Sequence, residues 1–192
     1  MLAQASVYRA GVLKSALREL ERQQGQGAEH IFEAYGEASV ALVQRAASID
    51  WVDIELLLEL NRAIDSTLGR AGFSAFWKEY GRAATHHPIF RPLVDGIVRM
   101  FGSGRGLVKM LPRGSAMVSR HLGAMKVVEL EADRAVLEYA GFPFPEHLEL
   151  FSEANRSSIE GSLLLVAKSS EATLEQLIAG LGGYRIRVSW QS

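Results

Sequence analysis

Tyr184-Arg-Ile-Arg-Val-Ser-Trp190 alternates large apolar and polar side chains without a break. A period of two places Tyr184, Ile186, Val188 and Trp190 on one face of a strand and Arg185, Arg187 and Ser189 on the other. One face buried and one wet is the pattern of an antiparallel sheet. Upstream, Met125–Glu131 and Arg134–Ala140 are rich in Val, Leu and Tyr, and the short Ala132-Asp133 between them predicts a hairpin. Gly141-Phe-Pro-Phe-Pro145 stops any continuing strand. Asn155–Ser169 reads as a helix with Ile159, Leu163 and Val166 in register, and Thr173–Leu181 as another that meets Gly182-Gly183.

The first two-thirds of the chain reads as helices. Ala10, Leu13, Leu17 and Leu20 share one face, and Gln23–Gly27 is a polar break. A second apolar-periodic stretch covers Ala28–Ala47. Asp50 is expected to cap the next helix, with Asp53 in its first turn. That helix carries Ile54, Leu57, Leu58 and Ile64 inward and ends near Gly69. Phe73, Phe76, Trp77, Tyr80 and Ala84 then follow helical spacing until His86-His87-Pro88. A further helix is expected from Arg91-Pro92 through Val94, Ile97, Val98 and Phe101, interrupted by Gly102, Gly104 and Gly106. The expected fold class is α+β: N-terminal helices packed on a small antiparallel sheet, hairpin plus C-terminal strand, with further helices. One domain over residues 1–192 is expected.

Composition narrows the function. Twenty-one basic residues stand among 22 acidic ones, net charge −1, with no basic block, so nothing favours nucleic acid or an anionic membrane. With no cysteine there is no disulfide, thiol catalysis or thiolate metal site. No secretory leader and no membrane-spanning run is recognisable, and a cytoplasmic location is expected.

No constellation carries a reaction. His86 and His87 suit a helix terminus better than a metal site, and His30, His121 and His147 are isolated. Gly102–Gly106 is not a phosphate loop, because a helix is expected before it and Lys109 is not followed by Ser or Thr. Glu129, Glu131 and Glu138 read as a solvated hairpin face, and Arg185 and Arg187 as the wet side of the terminal strand. No Gly-x-Ser-x-Gly elbow is present.

The order of helices, hairpin, helix and terminal strand resembles the heme nitric-oxide/oxygen-binding (H-NOX) domain. Its relatives, the 4-vinyl-reductase-type ligand-binding domains and an uncharacterised bacterial paralogous family, are similar too. The local anchors are Phe76-Trp-Lys-Glu-Tyr-Gly81, Leu107-Val-Lys-Met-Leu-Pro112, Val136-Leu-Glu-Tyr139 and Ile159-Glu-Gly-Ser162. The resemblance implies an iron-ligating histidine just before Leu107–Met110, but Gly102–Gly106 stands there and no histidine lies between His87 and His121. It also implies Tyr-x-Ser-x-Arg for the heme propionates. Here Tyr139-Ala-Gly-Phe-Pro143 keeps the tyrosine, and proline has no hydrogen to donate.

The resulting expectation is a non-enzymatic sensory or protein-interaction module of this fold, with no catalytic residue, no metal ligand and no cofactor, heme being disfavoured. Phe73, Trp77, Phe101, Met110 and Tyr139 are the candidate lining of a site for a small apolar ligand. A protein partner or a second copy is the other expected contact. The alternatives are a heme-based gas sensor with unusual ligation and a small enzyme whose site the sequence does not display.

Overall fold

The structure, a computed structural model, describes residues 5–83, 103–178 and 182–191. Strand β1 (Val7–Arg9) leads into helix α1 (Ala10–Gln24), which buries Ala10, Leu13, Leu17 and Leu20 as their spacing predicts. A 3-10 turn at Gly25–Gly27 follows. The apolar stretch expected as one helix is two, α2 (Ala28–Tyr35) and α3 (Glu37–Arg45). Gly36 divides them at φ 92, outside the right-handed helical region.

Asp50 does not cap a helix. Its carboxylate accepts the Ala47 amide at 2.7 Å, and Trp51–Asp53 forms strand β2, antiparallel to β1. Asp53, expected in the first turn of that helix, ends β2 and accepts the Glu55 amide at 2.9 Å, and Ile54 stands at the helix N-cap without a side-chain bond. Helix α4 (Glu55–Arg82) consists of two arms meeting at Gly69, where φ 68 and ψ 171 lie in a region open essentially to glycine alone. The two arms match the two helices read on either side of that glycine.

His86, His87 and the helix expected from Arg91 to Phe101 lie outside the described residues. Gly102 lies outside them too, while Gly104 and Gly106 open a helix, where the sequence had suggested an interruption. Ser103 is extended and its Oγ accepts the Gly106 amide at 3.2 Å, capping α5 (Gly104–Val118). Pro112 lies inside α5 and removes one backbone bond without ending the helix. Strand β3 (Ser119–Arg120) then pairs with β1, so a three-stranded sheet β2-β1-β3 ties the first helices to the second half.

The larger sheet has the order β4-β5-β7-β6, all antiparallel. Strands β4 (Ala124–Leu130) and β5 (Arg134–Ala140) form the expected hairpin. The helix expected at Asn155–Ser169 is α6 (Leu148–Leu163), shifted toward the N-terminus and started by a 3-10 turn at Pro145–His147. The helix expected at Thr173–Leu181 is corrected to a strand, β6 (Ser169–Ile178). Ser170, Ala172 and Leu174 turn inward while Glu171, Thr173 and Glu175 face solvent, a period of two. Pairing with β7 (Gly183–Gln191) along its length outweighs the helix propensity of Leu, Glu and Gln. In β7, Tyr184, Ile186, Val188 and Trp190 are buried. The outward Arg185 and Arg187 pair with Glu138 at 2.7 Å and Glu175 at 2.6 Å.

The core lies where α4 crosses α6 above this sheet. Gly81 approaches the Ser158 carbonyl and Gly161 approaches the Lys78 carbonyl, so the helices touch backbone to backbone. Beside the crossing, Arg156 bridges Glu153 at 2.6 Å and Glu160 at 2.8 Å, and Lys78 reaches Glu160 at 2.6 Å. Burial alone would raise the Glu153 pKa, but hydrogen bonds from Arg156 and Ser74 outweigh it and hold the carboxyl below its ordinary range.

Candidate ligand-binding cavity

Both arms of α4, together with α5 and α6, surround a cavity with about 180 Å³ of space for the centre of a water molecule. Leu57 and Asn61 come from the first arm of α4, and Trp77 and Tyr80 from the second. Leu107, Met110 and Leu111 line it from α5, and Phe151 and Ile159 from α6. The walls are mainly apolar, as small-molecule sites are. No His, Asp, Glu, Lys or Arg is among the described lining residues.

Of the residues read as ligand-lining, Trp77 and Met110 border the cavity and Phe101 lies outside the described residues. Phe73 and Tyr139 are elsewhere. Phe73 is fully buried behind Trp77, edge-on with ring centroids 6.4 Å apart. Tyr139 belongs to the sheet, stacked on Tyr184 at 5.1 Å, and its hydroxyl donates to the Leu122 carbonyl at 2.8 Å. Asn61 and Tyr80, with Tyr8, Asn155 and the serines at 115, 119, 158 and 162, add polar side chains to the lining, and none of them was among the expected site residues. The signal for Asn61 was present: a polar side chain four residues after Leu57 and three before Ile64, within an apolar helical stripe.

The electrostatics are those of a neutral site. Burial pushes the Tyr80 phenol well above its ordinary pKa, with Tyr8 and Glu19 adding to the shift. Burial raises Tyr8, also in the lining, to about 12. Both are uncharged phenols at ordinary pH, and Tyr80 donates to the Val12 carbonyl at 3.3 Å. The Asn61 amide oxygen and nitrogen and the Trp77 indole nitrogen are buried with no hydrogen-bond partner.

Gly104, in the first turn of α5, lies under the Trp190 indole. A β-carbon there would sit 2.5 Å from the ring atoms, and Trp190 is only 4% exposed. Gly104→Ala is therefore expected to destabilise the fold by about 1–3 kcal/mol through overpacking, despite a helix-propensity gain of up to about 1 kcal/mol. Chemical denaturation checks it: in a Trp190→Leu background the same substitution should cost far less, and an additive double-mutant cycle would refute the contact.

No protein-family model matches the chain, and no curated protein matches it. Solved structures do. The Fe(II) unliganded H-NOX protein from K. algicida is 10% identical, with 96% of this chain and 97% of that one covered at a TM-score of 0.68. A structure probing heme distortion in the H-NOX family is 12% identical over 96% and 95% of the two chains, with a TM-score of 0.62. An oxygen-binding H-NOX domain related to soluble guanylate cyclases, in its oxygen complex, is 14% identical over 96% and 95%, with a TM-score of 0.56. These neighbours overturn the expectation of no cofactor with heme disfavoured, because the fold is shared with heme proteins and heme is a candidate cofactor. Helices, hairpin and terminal strands thus assemble along nearly the whole chain into the α+β fold of the H-NOX domains.

Proposed function

We propose that the chain, as one domain over residues 1–192, is a non-enzymatic sensory module that holds a small-molecule ligand in the cavity between α4, α5 and α6. The observation that carries this is a mainly apolar cavity between the helices, with no charged side chain among its described lining residues. Trp77 and Met110 are the expected lining residues that would meet the ligand there. A change in the ligand would move α5 or the α4 bend and be read by a protein partner or a second copy of the chain. The described lining holds no acid, base and nucleophile together, which favours binding over catalysis.

Heme is the cofactor suggested by the similar structures. The apolar walls suit the face of a porphyrin, and Met110 supplies a soft thioether donor. The described lining supplies no cation for the carboxylates of heme. When bound, heme iron would supply diatomic-gas chemistry; this chain would contribute Met110 and the apolar walls that exclude water.

The test is native mass spectrometry and thermal melting of the full chain, purified from heme-supplemented cells and then titrated with hemin and a panel of small apolar molecules. A ligand at one per chain that raises the melting temperature is expected, with uptake lost in a cavity-filling Leu111→Trp variant. Bare chain with no shift from any ligand overturns the reading.

A further inference from the structure

Many basic residues of this surface are paired with carboxylates. Arg62, Arg70, Arg134, Arg185 and Arg187 each reach one at 2.6–3.1 Å. One strip departs from that rule. Arg105, Lys109 and Arg113 are exposed at four-residue spacing on α5, so they follow one another along a single side of the helix. They make no ion pair and no side-chain hydrogen bond among the described residues. Leu107, Met110 and Leu111, on the other side of the same helix, line the cavity.

The strip continues onto the small sheet where α5 ends. Strand β1 sets Arg9 opposite Trp51 and Val7 opposite Arg120, so these side chains share one face of the sheet. The Arg9 guanidinium lies 3.7 Å from the centre of the Trp51 ring, and that of Arg120 4.2 Å. Arg9 Nε also donates to the Met117 carbonyl at 3.3 Å and its Nη1 to the Ile49 carbonyl, which holds those two residues side by side. Ile49 is 76% exposed and Met117 43%. Neither Arg9 nor Arg120 has a carboxylate partner among the described residues. Asp53, on the same sheet face, accepts the Glu55 amide instead.

We infer that this strip, from Arg105 along α5 to Met117 and onto the outer face of the β2-β1-β3 sheet, docks an acidic segment of a protein partner that carries large apolar side chains among its carboxylates. Charge complementarity sets the occupant, because the strip gathers cations that have no carboxylate of their own. Guanidinium groups take carboxylates in two-point pairs. Between them, Trp51, Ile49 and Met117 form an apolar patch with a cationic rim, the composition in which binding energy concentrates. The chain as a whole carries a net charge of −1 and so exerts no long-range pull on an extended polyanion such as nucleic acid or an anionic membrane. A short acidic segment meets only the strip. The inference rests on the reading above that a protein partner takes up the signal, and it puts that partner against the cavity wall. Tyr8 and Ser119 line the cavity from the same strands whose outer face carries Arg9 and Arg120.

A phage-displayed library of random peptides is selected on the full chain, and the enriched peptides are synthesised and titrated by fluorescence anisotropy. They are expected to be rich in Asp and Glu around Leu, Phe or Trp. Arg113→Glu and Ile49→Asp, both at exposed positions, are expected to melt as wild type does and to weaken these peptides roughly tenfold or more. Arg18→Glu, an equal change of charge on α1, is expected to leave them bound. Peptides without an acidic bias overturn the inference, as does binding that survives both strip variants or is lost equally in Arg18→Glu. So does self-association, or adsorption to phosphatidylserine vesicles, that Arg113→Glu abolishes, because the strip would then belong to a second copy or to a membrane. A cavity ligand without acidic-peptide binding removes this inference alone. Acidic-peptide binding with no cavity ligand keeps the docking surface and removes the ligand from the sensory reading.

Discussion

Replacing Gly161 with alanine is expected to lower the melting temperature by about 10 °C, a loss of roughly 3 kcal/mol for a chain of this size. A β-carbon at 161 would overlap the Lys78 carbonyl oxygen and lie 3.0 Å from the Arg82 amide nitrogen. Both obstacles are backbone, so no side-chain rotation relieves them. The opposite contact, Gly81 against the Ser158 carbonyl, is just as close, and the Ser162 hydroxyl donates to the Gly81 carbonyl at 3.3 Å across the same crossing. Moving α6 away from α4 would therefore separate two backbones along their tightest line and disturb the wall made by Trp77, Tyr80 and Ile159. Gly27→Ala is the control. Gly27 has helical φ −66, and the nearest atom to a new β-carbon is 3.8 Å away, so that variant should melt at or slightly above the wild-type temperature. Scanning calorimetry decides: Gly161→Ala within 2 °C of wild type would mean that the helices adjust freely.

Above pH 10 the protein is expected to unfold in one steep step that releases its phenolic protons together. The chain has five tyrosines, and burial raises the pKa of each, Tyr8 to about 12 and Tyr35, Tyr80, Tyr139 and Tyr184 well above the ordinary value. Unfolded phenols ionise near pH 10. Below that pH both states keep their protons and the stability is intact. Above it, the unfolded state gives up protons that the folded state retains. Each tyrosine then removes about 1.4 kcal/mol of stability per pH unit. Five together approach about 7 kcal/mol per unit, comparable with the whole stability of an ordinary domain. Phenolate absorbance and far-ultraviolet circular dichroism should change together in a single transition. Phenolate formation in stages through pH 12 with the dichroism intact would refute the burial argument.

Periodicity made much of the fold legible. The alternation of Tyr184–Trp190, the hairpin around Ala132-Asp133 and the apolar stripe of α1 are local patterns, and each appears where its spacing places it. Strand β6 was not legible, because Leu174, Leu177 and Ile178 carry a helical spacing as well as a strand, and only pairing with β7 selects the strand. The glycines at 102, 104 and 106 misled for a related reason. Their low helix propensity suggests an interruption, yet the Ser103 cap and the Trp190 ring above Gly104 make 104 the start of α5.

The cavity shows the same division. The sequence marked Trp77 and Met110 through their apolar register, and placed Phe73 and Tyr139 beside them because register does not distinguish core from cavity wall. It displayed Asn61 as a polar residue in an apolar stripe without showing what that residue faces. By itself, then, the sequence determined α1, the two arms of α4, the β4–β5 hairpin and β7, with their amphipathic faces, and the resemblance to the H-NOX fold, which follow from patterns along the chain. Only the tertiary structure decided that Asn61 and Trp77 border one cavity. Their meeting depends on the Gly69 bend and on the crossing of α4 with α6 at Gly81 and Gly161, where the absence of side chains lets distant parts of the chain come together.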